Sequence, residues 1–218
     1  MTEKSDSAAG GKTPSIPEND AFSKVDFSFS LWHATLMAAG LTPLIAVVVL
    51  GLHYLIWGPY SLLSAALSFT RLQSLLPAVV VSIVAHEGLH WVGYASFGHL
   101  PWRSVRFGFS VRSLAAYVHS DSPVTMSAYR RLTVLPGIVL GVIPSCIGIG
   151  WNVGWMTLYG FLMLISAGGD FAILWKIREL SPSALVLDHP SRAGCWVLIQ
   201  ESGEVSQSPN ATKPIGTR

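Results

Sequence analysis

The sequence predicts an all-α membrane protein, with four transmembrane helices and a small β-containing cytoplasmic loop and tail. Three observations carry that expectation. Half of the 218 residues are hydrophobic, only 12% are charged, and the mean hydropathy is +0.48; a soluble domain has roughly a quarter of its residues charged. The apolar residues also come in blocks. Residues 27–70 and 132–169 contain no Asp, Glu, Lys or Arg, and each block exceeds the ~20 residues that one helix needs to cross a bilayer. Finally, "WGPYS" (57–61) and "GIGWNVGW" (148–155) break the blocks with Gly, Pro, Asn and Trp, which suit turns at a membrane interface. The spans are therefore expected at about 35–57, 74–98, 132–150 and 155–176.

Taken in chain order, residues 1–30 are expected as a disordered cytoplasmic tail. They are polar, rich in Ser, Gly and Pro, and lack the short apolar core of a cleavable leader. Residues 31–200 make the membrane-embedded domain, and residues 201–218 a second disordered tail. Basic residues orient the spans. The loop after span two carries Arg103, Arg106, Arg112, Arg130 and Arg131; Lys176 and Arg178 follow span four; Lys4, Lys12 and Lys24 precede span one. The other face has only Arg71. An even number of spans puts both termini and the arginine-rich loop on the cytoplasmic side of a multi-pass plasma-membrane protein. The sequon "NAT" (210–212) then lies in the cytosol, unused.

Two strands are expected outside the bilayer. In "SVRFGFSV", Val105, Phe107, Phe109 and Val111 alternate with Arg106, Gly108 and Ser110, the period of a half-buried strand at the membrane surface. "CWVLI" (195–199) is a second short candidate. Cys146 sits in an apolar span and Cys195 in the tail, so no disulfide framework is implied. A net charge of +2 without a basic, aromatic-interleaved cluster points away from nucleic acid. The lipid bilayer is the partner that composition itself demands.

One stretch breaks the pattern. Between Arg71 and Arg103 the only formally charged side chain is Glu87, flanked by His86 and His90 in "VAHEGLHWVGY". A carboxylate at hydrocarbon depth needs a partner or a task. A helix stacks residues four apart on one face, so both imidazoles can reach one metal ion. Glu87 beside them is placed to take a proton from a water on that metal, the H-E-x-x-H arrangement of zinc peptidases. A catalytic Zn²⁺ needs a third protein ligand. Position 96 is Ser96 rather than a metzincin histidine, and the next glutamate, Glu179, follows the last span. Asp170 is the only charged residue within spans three and four. His90 is expected about 12 Å above the cytoplasmic boundary and Asp170 about 9 Å above it, so the two share a level. Gly168 and Gly169 are expected to let the two helices approach.

These residues lie within a family resemblance. "HEGLHWVGY", "FGFSVRSLAAYVHSDSPVTMSAYRRLTVLPGIVLGVIP" and "SAGGDFAILWKIRELSPSALVLDHPSRAGCWV" resemble the putative zincin peptidases, small prokaryotic membrane proteins distantly similar to site-2 proteases. The resemblance implies a membrane-embedded metallopeptidase with zinc on His86, His90 and Asp170 and Glu87 as catalytic base. Its partner is a membrane protein or membrane-associated peptide substrate. Related sequences carry a Cys after "AYVH", where this chain has Ser120. The competing reading is a non-enzymatic membrane protein with a structural or sensing metal site. His119, His33 and His53 are expected as ordinary loop or interfacial histidines, and Arg130 and Arg131 as headgroup anchors.

Overall fold

A computed structural model describes residues 22–69, 72–110, 115–189 and 192–200. Three helices are long and apolar enough to cross a bilayer, Trp32–Trp57, Leu75–Phe97 and Met126–Gly150. A fourth such span exists if Gly154–Ser166 and Gly168–Lys176, bent by 45° at their junction, count as one. The first span joins α1 (Leu31–Ala46) through a π-helical turn, Val47–Gly51, to α2 (Leu52–Trp57). A short helix, α3 (Tyr60–Phe69), fills the loop before α4 (Leu72–Phe97). The third span runs α5 (Met126–Pro136), a π-helical turn Gly137–Val142, and α6 (Ile143–Gly150). The last pair is α7 (Gly154–Ser166) and α8 (Gly168–Lys176).

The third span starts at Met126, earlier than expected, because charge was read as a boundary. Thr125 caps it, its hydroxyl accepting from the Ala128 N–H, and Arg130 and Arg131 lie inside the helix. Arg130 is no headgroup anchor. Its guanidinium donates to the carbonyls of Ile177 (2.5 Å), Arg178 (3.1 Å) and Leu180 (2.7 Å) in the turn that follows α8, where the Ile177 carbonyl also accepts from the Leu180 N–H (3.2 Å). The start of span three is thereby tied to the end of span four.

Six strands complete the described residues: β1 (Phe22–Asp26), β2 (Val105–Ser110), β3 (Ala115–Ser120), β4 (Val124–Thr125), β5 (Leu185–Asp188) and β6 (Cys195–Gln200). The expected strands at 104–111 and 195–199 correspond to β2 and β6. The tail expected to be disordered through residue 30 is corrected by β1, which pairs antiparallel with β6, Phe22 opposite Gln200 and Asp26 opposite Trp196. The rest of that tail, the tail at 201–218, and Arg71 lie outside the described residues. The four-stranded sheet has the order β1-β6-β5-β4, so segments preceding span one, preceding span three and following span four meet at one end of the molecule. A core of Tyr94, Leu132, Val124, Met126, Ile177, Val186, Cys195 and Val197 joins that sheet to α4 and α5.

Gly93 sets the distance between α4 and α5. A Cβ there would lie 2.6 Å from Leu132 Cβ and 3.0 Å from its Cα, closer than packed atoms come. Gly93→Ala is expected to cost ~1–3 kcal/mol through forced separation of the helices. Gly88→Ala, with nothing within 4 Å, should leave stability unchanged or slightly raised. Thermal unfolding in detergent measures both, and equal melting temperatures would show that the contact is slack.

Candidate metal centre

The centre is built on three helices. His86 and His90 share a face of α4, their rings edge to face with centroids 5.0 Å apart. Asp170 enters from the first turn of α8, just past the bend. His86 Nε2 lies 3.1 Å from Asp170 Oδ2, and His90 Nε2 lies 3.5 Å from Asp170 Oδ1. One ligand atom from each residue falls within 4.8 Å of the others. The side chains are only 12–15% exposed. His90 and Asp170, expected at one level, are brought within 3.5 Å of each other.

Close approach is achieved differently from the expectation. A Cβ on Gly168 would collide with Ala38, 2.3 Å from its Cβ, whereas Gly169 has nothing within 4 Å. Gly168 therefore packs α8 against α1, and Gly93 packs α4 against α5. Asp170 reaches the histidines because the chain turns 45° between α7 and α8.

The donor set fits a metal ion. His90 Nδ1 is 3.1 Å from the Leu132 carbonyl, which can only accept, so Nδ1 carries the proton and Nε2 presents a lone pair. That lone pair faces a carboxylate oxygen. Asp170 Oδ2 and His86 Nδ1 are buried without a hydrogen-bond partner among the described residues; the 3.1 Å contact of Oδ2 with His86 lacks hydrogen-bond geometry. Neutral imidazoles and a carboxylate converging in a buried place repel one another unless a proton or a metal ion sits among them, and the cluster offers a place for a metal ion. Two imidazoles and one carboxylate are the donors, and the number, that a catalytic Zn²⁺ takes from a protein.

The Leu132 carbonyl is available for a reason written in the sequence. In an α-helix it would accept from the N–H of residue 136, but that residue is Pro136 and has no N–H. A helix proline thus supplies the acceptor that fixes the His90 tautomer.

Glu87 projects toward β3, its carboxyl group beside the backbone N–H of Val118. His119 stays out of the metal centre: its Nε2 is 2.9 Å from Asp121 and its Nδ1 is 3.9 Å from Asp188. Asp188, in β5, accepts from the Tyr94 hydroxyl (2.6 Å) and the Ser120 N–H (2.9 Å). It pins β3 beside α4, one helical turn below His90. Burial pushes its carboxyl above the usual range, opposed by those two donors. His53 is no ordinary interfacial histidine; fully buried, it joins Thr157 (2.8 Å) and Ser61 (2.7 Å) at the far end of the bundle.

A family model described as putative zincin peptidase matches residues 79–185, from within α4 to the first residue of β5. No curated protein and no solved structure matches the chain.

Restoring an N–H at position 136 should let the helix reclaim the Leu132 carbonyl and loosen His90. Pro136→Ala is expected to weaken zinc binding ~10-fold or more, the usual cost of losing an outer partner of a ligand histidine. Pro43→Ala, in α1 and away from the centre, should not. Competition with a chelator measures both, and unchanged affinity in Pro136→Ala would show that the carbonyl contact does not position the ring.

Proposed function

We propose that the chain, matched over residues 79–185 by the putative zincin peptidase family model, is a zinc-dependent endopeptidase acting on peptide bonds in or beside a bilayer. The observation that carries the proposal is the convergence of His86, His90 and Asp170 around one point, with Glu87 next to the first histidine. A zinc ion held by these three would polarise the scissile carbonyl and make a water acidic enough to attack. Glu87 takes the proton of the attacking water on its carboxylate and delivers it to the leaving amine nitrogen. Burial around the site keeps bulk water from competing with the substrate.

The apolar spans support a multi-pass location in the plasma membrane. The sheet that gathers β1, β4, β5 and β6 at one end supports placing the N-terminal segment, the start of span three and the C-terminal segment on one side, which the basic residues make the cytoplasmic one.

A helical substrate must be unwound before its backbone can be attacked, and a strand edge offers an extended segment somewhere to pair. The favoured edge is that of β3. In the β2–β3 register Val118 faces Phe107 and Ser120 faces Val105. The Ser120 N–H is taken by Asp188 and the Val118 N–H lies beside Glu87, so these alternate groups point away from β2 and toward the metal centre. The outward groups of β2 point the opposite way. The alternative, a non-catalytic metal site, needs the three ligands but gives Glu87 no task.

Two experiments test this. Glu87→Gln keeps size and polarity while removing the proton acceptor, so zinc should stay bound while cleavage of a single-span membrane substrate falls ~10²–10⁴-fold. Asp170→Asn, His86→Ala and His90→Ala should lose zinc instead. Unimpaired cleavage by Glu87→Gln ends the peptidase mechanism, and full zinc occupancy in Asp170→Asn removes that residue as a ligand. For the strand edge, Val118→Pro deletes the N–H beside Glu87 and should reduce cleavage with zinc retained, whereas Phe107→Pro deletes an N–H on the far edge and should be tolerated. The reverse pattern would assign the substrate to β2.

A further inference from the structure

A groove of about 500 Å³ lies between the start of α1 and the end of α8, away from the metal centre. Its upper wall carries Lys176, Arg178, Arg192 and His33; its lower wall is Met37, Ala172 and Trp175. No carboxylate lines it. Asp26 and Glu179 pair with Arg192 and Arg178, which leaves Lys176 as the one lysine or arginine of the groove with no carboxylate partner among the described residues. Asp26 accepts from the Ser28 N–H (2.6 Å) and lies 3.5 Å from Arg192, and Glu179 accepts from Arg178 (2.8 Å). Lys176 gives one donor to the Ser28 carbonyl (2.6 Å) and lies 5.5 Å from the centre of the Phe29 ring, which holds the ammonium at the groove and leaves its other protons to donate.

The arrangement has a direction. Cations sit where the helices end, and the apolar wall continues along α1 and α8 toward exposed Leu36, Met37 and Leu44. Trp32, near the start of α1, and Trp175, near the end of α8, are 67% and 62% exposed, as tryptophans are at a headgroup boundary. A soluble anion would use only the upper half. A phosphodiester attached to acyl chains uses both, the phosphate against the cations and the first methylenes against Met37 and Trp175.

We propose that this groove is a binding site for the headgroup of an anionic phospholipid, which clamps α1 to the helix that carries Asp170. The proposal rests on the reading that α1 and α8 lie in a bilayer. A chain that stays in solution without detergent would defeat that reading by itself, before any lipid is added.

The test is native mass spectrometry of the detergent-purified full chain with equimolar phosphatidylglycerol and phosphatidylcholine. The expected result is one retained phosphatidylglycerol in preference to phosphatidylcholine. Lys176→Gln and Arg192→Gln should each lower that preference roughly fivefold, the effect of one cation at an anionic headgroup. Arg103→Gln, an exposed cation outside the groove, should leave it intact. Equal binding of the two lipids overturns the proposal, as does an equal loss in Arg103→Gln, which would mean diffuse surface charge. Displacement of phosphatidylglycerol by millimolar inorganic phosphate would also overturn it, by showing a site for a soluble anion.

Discussion

The structure is organised around one carboxylate that has no business at helix-core depth without company. Burying an anion is costly unless opposite charge or donors meet it, so Asp170 constrains everything near it. Two imidazoles must arrive at its level, which the four-residue spacing of His86 and His90 on α4 secures. The helix carrying it must bend toward them, which the 45° break before Gly168 secures. That helix must also be held in place at both ends. Gly168 seats its beginning on Ala38 of α1, and Arg130 takes the carbonyls beyond its end.

Helix breaks supply the polar groups that hold the centre together. Membrane helices satisfy their backbone internally, so a released carbonyl must find another donor. Pro136 releases the Leu132 carbonyl, and His90 Nδ1 takes it; the turn after α8 presents three more, and Arg130 donates to them. In both cases a local defect in α5 or α8 becomes a contact between elements distant in sequence. The same logic extends to the small sheet. Asp188, reached only after the last helix, accepts on Oδ2 from both Tyr94 of α4 and Ser120 of β3, and so fixes which backbone groups of β3 face α4.

Much of this was legible from residues alone, and the omissions have physical causes. Charge-free blocks mark the spans because few segments other than membrane helices avoid ionisable residues for so long. The same rule misplaced the start of span three, since Arg130 looks like a boundary and is neutralised by carbonyls from residues 177–180. The candidate site residues could be singled out because isolated charge in an apolar helix is conspicuous: Glu87 and Asp170 stand alone in their stretches. Asp188 was not conspicuous, because it sits among ordinary polar loop residues and its importance depends on folding next to Tyr94. Strand β1 escaped notice because "FSKVD" has no alternation long enough to read and is stabilised by its pairing with β6. His53 was misjudged because a buried imidazole and an interfacial one look alike until Thr157 and Ser61 are seen to bracket it.

The distinction between a peptidase and a metal-stabilised scaffold comes down to how many protein ligands surround the point where the histidines meet. A structural zinc site closes its tetrahedron with protein atoms, whereas a catalytic one leaves a position open. Among the described residues the cluster holds three ligands. Glu87, beside His86 in the chain, is not one of the three and lies near both the histidines and the Val118 N–H. A fourth ligand there would close the site, and in a scaffold the half-buried Glu87 would have no partner to justify its place. On the proposed peptidase reading the same acid has a task, since it stands next to both the candidate ligands and β3.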